Sequence, residues 1–366
     1  MSTMQRALVF VLAFYAVLAC SVLGLANTNV AELSLLDEEE LLSALDQDAR
    51  SFFEDKGFIG MAVAVVKDGH VAYLNYGEVE KGGDAITEHT IFEIASLTKI
   101  FTGTLLADLS LQDVVGLDTP LNQFFPDAKT YKDGVEVTLS HLATHSSGFS
   151  RDVAAINPMN PFANFSRADM ENYLTFNAPR RVPGTAYEYS NLGMAILGEA
   201  LGDAFGSTYA EALKERILAK LDMDSSAFEL DEHRMERKAK PHLERGTPAR
   251  SWDFDALRAA GGLRSTTRDL ARFMAANVGG FTCDEDLSKA MHLAQEIHFR
   301  GQRSVGLGWH IGIEPYGRIF DHNGLVGGYC STIVICPAQG VGVVVLVNNA
   351  GSVDGLARSL LAKLAK

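Results

Sequence analysis

Residues 60–79 read "GMAVAVVKDGHVAYLNYGEV". Two apolar, β-branched runs flank the polar turn Lys67-Asp68-Gly69-His70, which predicts a β-hairpin. The same strand pattern returns only near the other end of the chain, from Gly306 onward: "GLGWHIGIEP", "GRIFDHNG", "YCSTIVICP" and "GVGVVVLVNN", with "PAQG" as the turn between the last two. Helical periodicity marks residues 38–55 and 353–365, and an apolar helix is predicted near 94–109. Residues 110–300 look mostly helical, broken by loops rich in Pro, Gly, Asn and Ser. The economical arrangement is an α/β (α+β) fold. Both chain ends join one antiparallel sheet, the terminal helices cover one of its faces, and the middle forms a mostly helical second lobe. The expected lobes are about 38–95 with 300–366 for the sheet and about 96–299 for the helices, within one domain of residues 27–366. A cleft between such lobes is a common place for a site.

The chain has 366 residues, of which 47% are hydrophobic and 21% charged, an ordinary globular composition. The net charge of −14 and the lack of any dense Lys/Arg cluster argue against nucleic-acid binding. After Arg6, residues 7–26 ("ALVFVLAFYAVLACSVLGLA") carry no charge. A signal peptide cut after Ala26 is the favoured reading, with Gly24 and Ala26 as the small residues of the cleavage site. A lipid attached at Cys20, or a retained anchor of membrane-spanning length, are the alternatives. All three export the rest of the chain, to the periplasm or the exterior. The four cysteines form no disulfide framework, because Cys330 and Cys336 fall six apart on one expected strand.

The chemistry begins at "FEIASLTKIF", residues 92–101. Residues i and i+3 share a helix face, so Ser96 and Lys99 are expected to meet. A serine hydroxyl is a poor nucleophile unless a base takes its proton. A buried amine can be that base, because desolvation lowers its pKa. Ile94, Leu97, Ile100 and Phe101 would supply the burial. Chance gives about one S-x-x-K in a chain of this composition, so the motif alone is weak. Taken singly, Lys99 reads as a lysine whose stem packs while its head reaches water.

Two further motifs change the balance. Tyr189-Ser190-Asn191 opens an apolar helix, and His322-Asn323-Gly324 lies on a strand followed by glycines. In this order the motifs resemble those of the class C β-lactamase-like serine hydrolases. That family includes class C β-lactamases, DD-peptidases, D-amino-acid peptidases and family VIII carboxylesterases. The stretches "VTLSHLATHSSGF", "GMAILGEAL", "AAGGLRSTTRDLARFM", "GLGWHI" and "GVGVVVLVNN" extend the resemblance over roughly residues 55–350. It implies a β-lactamase/transpeptidase-like fold. It also implies Ser96 as the acyl-accepting nucleophile, Lys99 as support for its deprotonation, and Tyr189 as general base. Asn191 would bond the lysine and the substrate amide. The backbone N–H groups of Ser96 and Leu325, beside Gly324, would form the oxyanion hole. His322 takes the place of the lysine in the Lys-Thr-Gly motif. Ser190 reads as a helix cap. No cofactor and no metal are called for. His141 and His145 have metal-ligand spacing but lack the accompanying glutamate, and are left as framework. "DTPLN", residues 118–122, resembles a class A deacylation loop but precedes Tyr189, and reads as ordinary loop.

His322 would carry full charge only below a pKa normally near 6.5, so it is a poor fixed cation for a substrate carboxylate. The expected substrate is therefore a small-molecule ester, or a D-amino-acid peptide or amide, with weak β-lactam turnover at most. A true β-lactamase, and a non-catalytic binding protein on the same fold, are the alternatives. "KLDM", residues 220–223, departs from the family's Pro-Leu-Gly-Met and puts one local turn in question.

Overall fold

The computed structural model describes residues 33–153, 160–280 and 283–365. The readings made for residues 7–26 and for Cys20 lie outside these residues.

The hairpin at residues 60–79 forms as expected, and it sits inside a nine-stranded sheet. In chain order its strands are β1 (Ser34–Leu35), β2 (Gly60–Lys67), β3 (His70–Gly77), β4 (Phe299–Arg300), β5 (Ser304–Val305), β6 (His310–Glu314), β7 (Gly317–Val326), β8 (Tyr329–Cys336) and β9 (Val341–Val347). Their order across the sheet is β1-β3-β2-β9-β8-β7-β6-β5-β4. The two chain ends meet where β2 pairs antiparallel with β9, Val63 opposite Val345. All pairs are antiparallel except the two-residue edge β1–β3. Cys330 and Cys336 share β8, and both are free thiols.

The central strands β2, β8 and β9 are buried at every position but Lys67, and mostly apolar, because both faces are covered. Met61, Val63 and Val65 of β2 pack with Val343 and Val345 of β9 against the terminal helices α1 (Glu39–Lys56) and α6 (Asp354–Leu364). Ala62, Ala64 and Val66 point the other way, into a larger core shared with the helical middle. That middle includes α2 (Thr98–Leu111), α3 (Asn191–Phe205), α4 (Thr267–Asn277) and α5 (Glu285–Gln295). Helix α2 is buried from Thr98 to Leu109, which explains why the sequence shows an apolar run rather than a stripe.

Two expected elements shift. The strand read from Gly306 begins only at His310, because the preceding backbone spends its hydrogen bonds on the helical lobe. Leu307 N–H donates to Ala294 O at 2.9 Å and Gly308 N–H to Ala143 O at 3.1 Å. The departure at "KLDM" is absorbed locally: Asp222 itself takes the left-handed conformation, φ 49°, that a glycine would have adopted. Among the described residues no helix is long and apolar enough to cross a membrane.

Candidate active site

Helix α2 is preceded by a 3₁₀ turn, Ala95–Leu97, that carries Ser96. Ala95 holds a positive φ of 50°, an uncommon conformation for a residue with a Cβ. Neighbours hold this turn from several sides. Thr98 Oγ1 donates to Ala95 O at 2.7 Å, and Ser331 Oγ of β8 donates to Ile94 O at 2.8 Å. From the sheet side Gly324 presses close: a Cβ there would lie 2.7 Å from Ala95 Cβ and 2.8 Å from Ser96 N. Only glycine fits that contact, which gives the third motif's glycine a steric reason.

Ser96 and Lys99 meet as the i, i+3 spacing predicts. Lys99 Nζ lies 3.0 Å from Ser96 Oγ, 2.8 Å from Asn191 Oδ1 and 2.5 Å from Ala260 O. The side chain is 0% exposed, so the reading in which its head reaches water does not hold. Burial pushes its pKa well below the usual lysine value, and the Asp152 carboxylate partly opposes this. Tyr189 O–H reaches Ser96 Oγ at 2.9 Å from the other side. Burial raises the Tyr189 pKa strongly, which the Ser96 hydrogen bond offsets only in part. Ser190 is the N-cap of α3, accepting from Gly193 N–H at 2.8 Å, and this places Asn191 in the first turn, facing Lys99.

The third motif lies on β7. His322 is 1% exposed and stacks on His310, with centroids 4.7 Å apart. Its Nδ1 lies 2.7 Å from Asn323 O, and burial pushes its pKa well below 6.5. Burial thus disfavours the charged form of this ring. Gly327 and Gly328 form a two-residue turn with φ 46° and 96°, the type I′ geometry. Such a turn makes Val326 and Tyr329 a hydrogen-bonded pair, and the alternation of the ladder then turns the Leu325 N–H away from β8. Strand β6 reaches only as far as Asp321, so that N–H faces an open edge. The Leu325 side chain is 61% exposed.

Ser96, Tyr189, Asn191, Gly324 and Leu325 line a cleft of about 800 Å³, while Lys99 and His322 are buried behind its surface. Phe162 packs edge-on against Trp252 and tilted against Phe254 along one wall, and Arg151 and Arg303 also face the cleft. Asp118 is not among its lining residues, so the class A look-alike stays outside the site.

A model of the β-lactamase family matches residues 45–366, with this site inside the match. The chain belongs to the β-lactamase family. A β-lactamase of Yersinia enterocolitica is 25% identical over 381 aligned positions, covering 94% of this chain and 95% of its own. The D-alanyl-D-alanine-carboxypeptidase/endopeptidase AmpH of Escherichia coli (strain K12) is 28% identical over 343, covering 87% of each chain. Among solved structures, the D-alanine carboxypeptidase AmpC from Burkholderia cenocepacia superposes with a TM-score of 0.80 at 23% identity, covering 90% of this chain and 99% of that one. A class C β-lactamase gives the same TM-score and identity over 90% and 96%. The structural likeness carries the fold, β-lactamase/transpeptidase-like.

Some residues at the site had no motif to announce them. His145, read as framework, packs its ring 4.5 Å from that of Tyr189 and accepts the Ser190 N–H at 3.1 Å. His141 does remain framework, capping a short helix by accepting the Thr138 N–H at 3.1 Å. His310 reaches Tyr187 O–H at 3.2 Å. Asp152 bonds Asn191 directly, at 2.7 Å. The order of residues along the chain gives no sign of the contacts made by His145, His310 and Asp152.

Proposed function

We propose that this protein hydrolyses esters, or D-amino-acid peptides and amides, through an acyl-enzyme on Ser96, with weak β-lactam turnover at most. The observation that carries the reading is the bracketing of Ser96 Oγ by Lys99 Nζ at 3.0 Å and Tyr189 O–H at 2.9 Å, inside a cleft. Two obligate acceptors, Ala260 O and Asn191 Oδ1, take up the two N–H groups of a neutral amine. The remaining lone pair then faces Ser96. Lys99 takes the Ser96 proton as Oγ bonds to the substrate carbonyl carbon. The carbonyl oxygen becomes an oxyanion held by the Ser96 and Leu325 N–H groups. When the C–O or C–N bond breaks, the leaving group takes a proton from Tyr189, which recovers the one held on Lys99. The strong upward push on the Tyr189 pKa suits a phenol that keeps its proton until the leaving group needs it. This shifts the base from Tyr189, the assignment implied by the family resemblance, to Lys99.

The preference against β-lactams rests on His322. A neutral, buried imidazole provides no cation on β7 for a substrate carboxylate. The relatives carry both β-lactamase and carboxypeptidase names, so family membership does not choose between them. Export of the mature chain is proposed from the apolar N-terminal run.

The test is a panel of p-nitrophenyl butyrate, a D-Ala-D-Ala peptide and a chromogenic cephalosporin, beside labelling with a fluorophosphonate. Ester or peptide turnover with labelling lost in Ser96→Ala is expected. Strong cephalosporin turnover without the other two makes the protein a true β-lactamase. Absence of labelling and turnover makes it a non-catalytic binder.

A further inference from the structure

The segment Ser150–Asp152 enters the site from a loop, and it is stitched to the start of α3. Arg151 O accepts the N–H groups of Asn191 and Leu192 at 2.8 and 3.1 Å. Ser190 Oγ donates to Ser150 O at 2.7 Å, and Ser150 Oγ donates to Asp152 O at 3.0 Å. The side chain so placed is Asp152, whose Oδ1 accepts from Asn191 Nδ2 at 2.7 Å. The other end of the same amide, Asn191 Oδ1, faces Lys99 Nζ at 2.8 Å.

An asparagine amide can present either end to a neighbour. An ionised carboxylate can only accept, so it admits only the NH₂ end. Asp152 therefore forces the carbonyl end of Asn191 toward Lys99, where it takes up one lysine N–H and leaves another face of the nitrogen for Ser96. The carboxylate also has an electrostatic reach. Lys99 feels Asp152 as its favourable charge and Arg151 as its unfavourable one. The other titratable groups around it are Tyr189, with its ring centroid 4.9 Å from Nζ, and the buried imidazoles of His145, His310 and His322. None of these offers a resident negative charge at neutral pH. Arg151 screens Asp152 only from its exposed side, with Nε 3.3 Å from Oδ2.

We propose that Asp152 is a positioning residue for acylation: it fixes the orientation of Asn191 and supplies the negative charge that offsets the proton Lys99 receives from Ser96. The inference rests on the reading of Ser96 as nucleophile and Lys99 as its base. Asp152 makes its hydrogen bond to Asn191, and in this reading it acts on Lys99 through that amide.

The test is the pH dependence of fluorophosphonate labelling at Ser96 in the full chain. Asp152→Asn keeps the shape and still offers an acceptor, but removes the charge and the forced orientation. Without the carboxylate Lys99 loses its proton at lower pH and is a weaker base. The rising limb of the profile is expected to move down by about one pH unit, and the plateau rate to fall about tenfold. A purely structural role for Asp152 would lower the melting temperature and leave the profile in place. A folded Asp152→Asn variant whose profile superimposes on the wild type overturns the proposal. Asp152→Glu keeps the charge and is expected to leave the limb in its wild-type position even where the rate drops. If Asp152→Asn does not fold, a displaced limb in Asp152→Glu overturns the proposal instead. Absence of labelling in the wild type would remove the reading of Ser96 itself and this inference with it, whereas normal labelling with an unmoved Asp152→Asn profile removes this inference alone.

Discussion

Among the described residues two lysines are buried, Lys99 in α2 and Lys238 in the helical lobe, and they are held in opposite ways. Lys238 Nζ lies 2.7 Å from the carboxylate of Glu93 and donates to Ser251 Oγ at 2.6 Å. Burial lowers its pKa, and Glu93 opposes the shift by direct contact. It is one half of an ion pair, tying the segment before Ser96 to a distant loop. Lys99 touches no carboxylate. Its neighbours are a hydroxyl, an amide oxygen and a backbone carbonyl, and its nearest favourable charge is one residue removed, beyond Asn191. Burial costs both ammonium ions their hydration. Direct pairing opposes the loss of charge at Lys238. At Lys99 the only opposing charge acts from a distance, which is what the proposed base role requires.

The contrast breaks most easily at Lys99. Lys99→Ala is expected to slow Ser96 acylation by about 10³–10⁴-fold while the protein stays folded, as read by labelling rate beside thermal melting. If it acylates at the wild-type rate, Lys99 is as structural as Lys238. The mirror experiment is Lys238→Ala. It leaves the buried Glu93 carboxylate with only the more distant Arg264, Nε 3.9 Å away, and breaking a buried pair costs up to about 3–5 kcal/mol, measured by urea denaturation. The labelling rate of the folded fraction should change far less than in Lys99→Ala. A stable Lys238→Ala variant with a dead site would reverse the two assignments.

Tyr189→Phe removes the proposed proton donor to the leaving group. A loss of about 10²-fold in turnover is expected, smaller than for Lys99→Ala. The reverse ranking would return the base to Tyr189. The pH dependence sharpens the comparison further. On the proposed mechanism acylation needs Lys99 as the free amine, and burial lowers its pKa, so the wild-type rate should reach its plateau well below pH 10.5. A rising limb at the ordinary lysine value would contradict the burial argument. The smallest effect concerns His322. Because burial holds its pKa well below 6.5, lowering the pH from about 8 to 7 should not tighten KM for a carboxylate-bearing substrate relative to its methyl ester.

Much of this molecule was legible along the chain. The hairpin at 60–79, the return of strands after Gly306 and the covering helices followed from periodicity, because a sheet buried on both faces leaves continuous apolar runs. Ser96 and Lys99 met as predicted because their contact is local to one helical turn. The roles of Asp152, His145 and His310 were not legible. Asp152 reaches Asn191 across 39 residues, and His145 finds Tyr189 across a similar gap. No local spacing encodes such meetings. The proposed move of the base from Tyr189 to Lys99 has a related origin: a phenol's pKa depends on its burial, and burial is decided by every segment that packs around it.

The amino-acid sequence by itself determined the strands, the helices and the contact between Ser96 and its adjacent amine, since each is set by residues within a few positions of one another. Only the tertiary structure decided how the two buried lysines differ. What distinguishes them is which distant group arrives beside each, a carboxylate at Lys238 or an amide at Lys99. That is fixed by the packing of loops onto α2 and onto the turn that carries Ser96.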